Sequence, residues 1–189
     1  MDTRRFLEIV SVAERLKDAT RHCCTSGGRP ESVAEHSWRA ALMAFFLGDE
    51  FPEADMDRVV KMCLFHDMGE AFTGDVPVFE KSAIDEQREA QLLGQWVDSL
   101  PERYAGELRE MYAEMAACET LEARIYKAID SLEALIQHNE SPLESRLPLE
   151  YDLQMTYADA RMEFSPYMKA LRQTVREDSI HKIENGKAE

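Results

Sequence analysis

An all-α, single-domain helical bundle is the fold this sequence predicts, and three observations predict it. Apolar residues recur at helical spacing through most of the 189 residues. No stretch sustains period-two alternation, and no internal repeat is visible. Glycine and proline fall mainly between the helical stretches, at Gly27-Gly28-Arg29-Pro30, Pro52, Pro101, Pro142 and Pro148. With 44% apolar residues the chain can bury one substantial core. One domain over residues 1–183 is expected, followed by a disordered tail at 184–189.

Residues 3–17 form the first expected helix, with Phe6, Ile9, Val10, Ala13 and Leu16 on a buried face and Glu8, Glu14 and Arg15 opposite. From Asp18 to Glu31 the periodicity is lost, and a loop carrying Arg21 and Arg29 is expected. Ser32-Val33-Ala34-Glu35 then has the capping-box pattern, in which each side chain satisfies the other residue's amide, so a helix starts at residue 33. Ala40, Ala41, Met43, Ala44 and Leu47 carry that helix inward. His36 falls in its first turn, at the mouth of the loop, where it is available as a cap, a surface residue or a ligand.

Beyond Pro52, Asp55 caps a helix whose Met56, Val59, Val60, Cys63 and Leu64 lead to His66-Asp67. Gly69 and Gly74 loosen the chain, so Ala71 to Phe79 reads as a turn crossing whatever site lies there. A charged helix from Ser82 to Leu100 turns Ile84, Ala90, Leu92, Leu93, Trp96 and Val97 inward and ends at Pro101; a shorter one covers 102–116. From Glu119 to Asn139 the periodicity is strong, with Leu121, Ile125, Ala128, Ile129, Leu132, Leu135 and Ile136 in the stripe. Asp130 stands at its border. A buried carboxylate there needs a partner, for which a cation, an arginine or an exposed position would serve. Leu149 to Asp178 reads as one final helix kinked at Pro166.

The formal charge of −15 repels phosphate backbones and argues against nucleic acid or an anionic membrane as partner, while a local basic pocket still admits a small anion. No apolar run approaches 18 residues, and the start, Met1-Asp2-Thr3-Arg4-Arg5-Phe6, has no long apolar core. Cys23, Cys24, Cys63 and Cys118 show no metal-binding or disulfide spacing. A cytoplasmic protein with reduced thiols is expected.

Together His36, His66, Asp67 and Asp130 supply two neutral nitrogens and two carboxylates, a set suited to a borderline divalent ion with positions left for water and substrate. Glu70 follows Asp67 by three and His66 by four, so it shares their flank of the helix. No further histidine lies between His66 and Asp130, and His138 sits about 12 Å farther along its helix. One ion is therefore expected, with Co, Mn, Zn, Ni and Fe all compatible.

This order of residues on a helical chain resembles the HD-domain metal-dependent phosphohydrolases. Val33-Ala34-Glu35-His36-Ser37, His66-Asp67-Met68-Gly69-Glu70, Thr73-Gly74-Asp75-Val76-Pro77 and Lys127-Ala128-Ile129-Asp130-Ser131-Leu132-Glu133-Ala134-Leu135 are similar to their 5'-deoxynucleotidase branch. The resemblance covers about residues 5–165. It implies an HD-domain helical bundle that hydrolyses nucleoside 5'-monophosphates, a small-molecule nucleotide substrate, one transition metal and a homodimer. It also implies His36, His66, Asp67 and Asp130 as ligands, Glu70 and Asp75 as catalytic or water-positioning carboxylates, and Arg21 as a phosphate contact. The bacterial enzymes carry an aromatic residue after that arginine, near the sugar, where this chain has His22. His22, Asp75 and Lys81 are further substrate candidates. Hydrolysis of another phosphate ester or nucleoside triphosphate, and a silent nucleotide- or partner-binding module, are the competing readings.

Overall fold

A computed structural model describes residues 1–77 and 79–186. Its helices are α1 (Thr3–Glu14), α2 (Val33–Phe46), α3 (Met56–Phe65), α4 (Glu70–Thr73), α5 (Ala83–Asp98), α6 (Glu102–Ala117), α7 (Leu121–Glu140), α8 (Pro148–Thr156) and α9 (Pro166–Gly186). The expected all-α class holds. The hairpin β1 (Thr20–Cys24) and β2 (Pro30–Ser32) is a small addition between α1 and α2.

The core is built around α7. Ile125, Ala128, Ile129 and Leu132 are completely buried, and Leu135 nearly so. They pack with Ala40 and Ala44 of α2, Val59, Met62 and Cys63 of α3, Ala105 and Met111 of α6, and Met168 and Val175 of α9. A polar residue on α7 that faces α2 and α3 is thereby forced into the interior, and this places the site.

Several expectations are corrected. The stretch 18–31 is a hairpin rather than a loop: strands of five and three residues are too short to show alternation, and pairing to each other and docking to α7 hold them in place. Cys24 of β1 gives its carbonyl to Gln137 Nε2 and Ser141 Oγ, both at 2.6 Å. The single kinked final helix is two helices. Tyr157 is extended and Ala158 takes φ +65°, which ends α8, and Pro166 opens α9, where its missing N–H costs nothing. Helix α9 runs on through Gly186, so residues 184–186 of the expected tail are ordered, and 187–189 lie outside the described residues. Of the face expected over residues 3–17, Leu16 is buried and Ile9 packs against the core, but Phe6 and Val10 line an open apolar groove with Trp96, Leu100 and Met111. Ile84 and Ala90, expected inward, are exposed, and the inward face of α5 carries Leu93, Trp96 and Val97. The expected turn at 71–79 begins with the helical turn α4 and becomes extended at Gly74, whose φ of +76° favours glycine.

Candidate metal centre and active site

The capping box at the start of α2 forms as the sequence suggests. Glu35 N–H donates to Ser32 Oγ at 3.3 Å and Ser32 N–H to Glu35 Oε2 at 2.9 Å. It fixes the helix start so that His36, one residue later, points inward and is completely buried. After α3 the chain tightens: Glu70 N–H bonds Asp67 O at 3.0 Å and Ala71 N–H bonds Met68 O at 3.3 Å. In such a three-residue turn positions i and i+3 eclipse, which brings Asp67 and Glu70 to one side. Gly69 lies between them because a Cβ there would come within 2.6 Å of Glu89 Cγ on α5.

The structure brings His36, His66, Asp67 and Asp130 together. His36 Nε2 lies 3.1 Å from His66 Nε2, 3.3 Å from Asp130 Oδ1 and 3.7 Å from Asp67 Oδ2. His66 Nε2 lies 3.0 Å from Asp67 Oδ2 and 3.6 Å from Asp130 Oδ1. Donors about 2.1 Å from one ion are about 3.0 Å apart at right angles and about 3.4 Å apart in a tetrahedron, so the spacing of His36, His66 and Asp67 suits one centre, and Asp130 Oδ1 stands within 3.6 Å of both imidazoles.

The tautomers fit as well. His66 Nδ1–H donates to Cys63 O at 2.8 Å, and His36 Nδ1–H donates to Glu133. Both rings therefore turn Nε2 toward the shared centre, where the site favours a positive charge. The local field agrees: burial works against charge on the His66 ring, yet Asp67 and Asp130 outweigh it and raise its pKa well above the ordinary value. Burial likewise opposes charge on Asp130, but His36, His66 and Lys127 hold its pKa well below the usual range. Lys127 Nζ donates to Asp130 Oδ2 at 2.9 Å, leaving Oδ1 for the cluster.

Around this centre is a pocket of about 380 Å³. Arg21, on β1, places Nη1 4.0 Å from Asp67 Oδ2 and Nε 3.1 Å from Glu31. Burial disfavours its charge, but Glu133, Asp67 and Glu31 keep it protonated. Glu70 is buried, with Oε2 bonded to nothing among the described residues. Desolvation first, then Asp67, Asp75 and Glu89, push its pKa from 4.5 up to about 9. Asp75 lines the same wall, its pKa raised by burial and moderated by Arg21. Lys81 also reaches the pocket, although its ammonium is engaged by Glu89 at 2.7 Å. His22 sits with Nε2 3.4 Å from Glu150 Oε1 and its ring edge-on to Phe79 at 5.9 Å.

Sequence reasoning missed Glu133. It is completely buried one turn beyond Asp130, and it receives His36 Nδ1–H and Arg39 Nε–H, the latter at 2.7 Å. Glu31, His36 and Glu133 form a second close group, but Arg21 and Arg39 already neutralise its carboxylates, so it needs no ion. Glu133 fixes the His36 ring and tautomer. Replacing it by Gln is expected to weaken divalent-metal affinity by about 10- to 100-fold, read by titration calorimetry with Mn or Co. An unchanged affinity would deny it that role.

A family model described as HD domain matches residues 13–172. The human protein named 5'-deoxynucleotidase HDDC2 is 34% identical over 138 residues, which is 72% of this chain and 66% of the human one. The chain thus spans about two thirds of that relative's length. The Dictyostelium discoideum protein of the same name is 28% identical over 185 residues, 92% of this chain and 97% of its own. Among solved structures, a Magnetospirillum magnetotacticum MS-1 protein described as a predicted metal-dependent phosphohydrolase superposes with a TM-score of 0.81 at 26% identity, covering 95% of this chain and 93% of that one.

Proposed function

Because the chain belongs to the HD-domain family, we propose that it is a metal-dependent phosphomonoesterase that releases phosphate from nucleoside 5'-monophosphates. The observation that carries this reading is the pair of imidazole Nε2 atoms 3.1 Å apart, both Nδ1–H groups committed elsewhere, beside oxygens of Asp67 and Asp130. His36, His66, Asp67 and Asp130 hold one divalent transition ion, with Co, Mn, Zn, Ni and Fe all suited to the donor set. When bound, that ion supplies Lewis acidity toward phosphate oxygens and water.

The chain's own residues do the rest. Arg21 presents a planar guanidinium at the edge of the cluster, matched to two phosphate oxygens. Its charge is held by surrounding carboxylates, so an incoming phosphate replaces part of a field that already exists. Burial and the neighbouring carboxylates favour a proton on Glu70 in the metal-free chain, one it can deliver to the departing 5'-oxygen. Asp75, on the extended segment facing Arg21, orients the attacking water, and Lys81 adds positive charge at the rim.

Phosphate release from a panel of deoxy- and ribonucleotides, with each metal added to chelator-treated protein, tests the proposal. Release from monophosphates that needs a stoichiometric ion is expected. Release from triphosphates alone would move the chain to another phosphohydrolase class, and no ion with no release would make it a silent binding module.

The chain is further read as a homodimer. Trp38, Leu42, Phe45 and Phe46 leave an apolar strip along α2, where the two phenylalanines are 70% and 77% exposed and touch edge to face. A second copy would remove that strip from water. Light scattering should give about twice 21.7 kDa, and Phe45→Glu should halve it; a wild-type particle of 21.7 kDa overturns this. A cytoplasmic location agrees with four free cysteines, and among the described residues no helix is long and apolar enough to cross a membrane.

A further inference from the structure

Asp130, Ala134 and His138 succeed one another at four-residue intervals on α7, and all three line the pocket. From Asp130 to His138 the helix rises about 12 Å. That matches the reach of a nucleoside monophosphate from its phosphorus to the far edge of its base. With phosphate at Asp130, the sugar passes over the small side chain of Ala134, and the base edge arrives at His138.

What waits there is a carboxylate. Glu150, in the first turn of α8, is 5% exposed. Its Oε2 accepts Leu147 N–H at 2.7 Å. Its Oε1 accepts no hydrogen bond among the described residues, although His22 Nε2 and His138 Nε2 face it at 3.4 and 3.8 Å. His138 does not neutralise it: burial first, then the charge of Arg146, lowers the His138 pKa to about 4, so its ring is uncharged. Glu150 lines the pocket, so this oxygen without a committed donor is free to accept an N–H from a ligand there.

We infer that Glu150, flanked by His22 and His138, is the base-reading residue of this pocket, and that its Oε1 accepts from the exocyclic amino group of cytosine or adenine. The inference rests on the nucleotidase reading and adds a base preference to it. A carboxylate accepts from an amino group at that edge, whereas a carbonyl in the same place sets two acceptors against each other and leaves Oε1 unpaired.

The test compares kcat/KM of the metal-loaded protein for dCMP against dUMP and for dAMP against dIMP, pairs that exchange the exocyclic amino group for a carbonyl. The amino member should be favoured in both pairs by about 5-fold or more, the low end of what one base-edge contact is worth. A smaller ratio in either pair overturns the inference on the wild-type protein alone. In Glu150→Gln the amide oxygen can keep Leu147 N–H while the NH₂ group turns to the pocket, so the ratios should fall or reverse. A preference that survives the substitution also overturns it. Equal release from all four nucleotides sinks the base assignment and leaves the nucleotidase reading standing. Release from none sinks both.

Discussion

Replacing Asp130 by Ala is expected to give a folded chain that retains no stoichiometric divalent ion and has lost phosphate release by more than the about 100-fold that removing an outer-shell partner costs. The reason is charge as much as geometry. His36 and His66 bind as neutral rings, so Asp67 and Asp130 supply all the negative charge in the cluster, and the substitution removes half of it. Asp130 Oδ1 also reaches both imidazoles, at 3.3 and 3.6 Å, as Asp67 Oδ2 does. Lys127 loses its partner, but its side chain is 37% exposed and can turn to water, so the fold should persist. Asp130→Asn keeps the shape and removes the charge, and should behave like the alanine variant if charge dominates. Metal per chain after loading and dialysis, with far-ultraviolet circular dichroism as the folding check, decides the matter. A full equivalent of ion retained by either variant would remove Asp130 from the ligand set.

How much of this was legible in the sequence depended on the distance over which each side chain is determined. The helices around the core were readable because periodicity is local, and His36 could be placed because Ser32 and Glu35 announce the start of α2 three residues apart. Asp130 stood out as a carboxylate at the border of an apolar stripe. Glu133 did not. Its partners His36 and Arg39 lie 97 and 94 residues away, and a glutamate after Leu132 reads locally like any solvated helix position. Glu150 was hidden for the same reason, since only tertiary packing sets it against His22 and His138. The stripe on α1 was real as a pattern, but pattern alone does not say whether a partner covers it.

Glu70→Gln should bind its ion at full stoichiometry and yet lose kcat by about 10²- to 10⁴-fold, the range for removing a positioned proton donor. Gln preserves the volume of a side chain that is 6% exposed, and Glu70 Oε2 makes no hydrogen bond to any of the four proposed ligands, so binding and turnover should separate. Its pKa makes the claim sharper. A general acid works in its protonated form, so the wild-type rate should fall as pH rises through the Glu70 pKa, near 9 in the metal-free chain and lower once an ion offsets Asp67. The Gln variant should lack that alkaline limb. Stability supplies a second readout on metal-free protein. Between pH 4.5 and about 9 the folded state keeps a proton on Glu70 that the unfolded chain has released, so wild-type stability declines with rising pH across that window. Gln carries no such slope, and the variant should melt higher than wild type at pH 8 and level with it at pH 4. Equal melting shifts at both pH values would mean that Glu70 titrates as an ordinary surface carboxylate. With turnover intact as well, its place in the reaction would pass to Asp75.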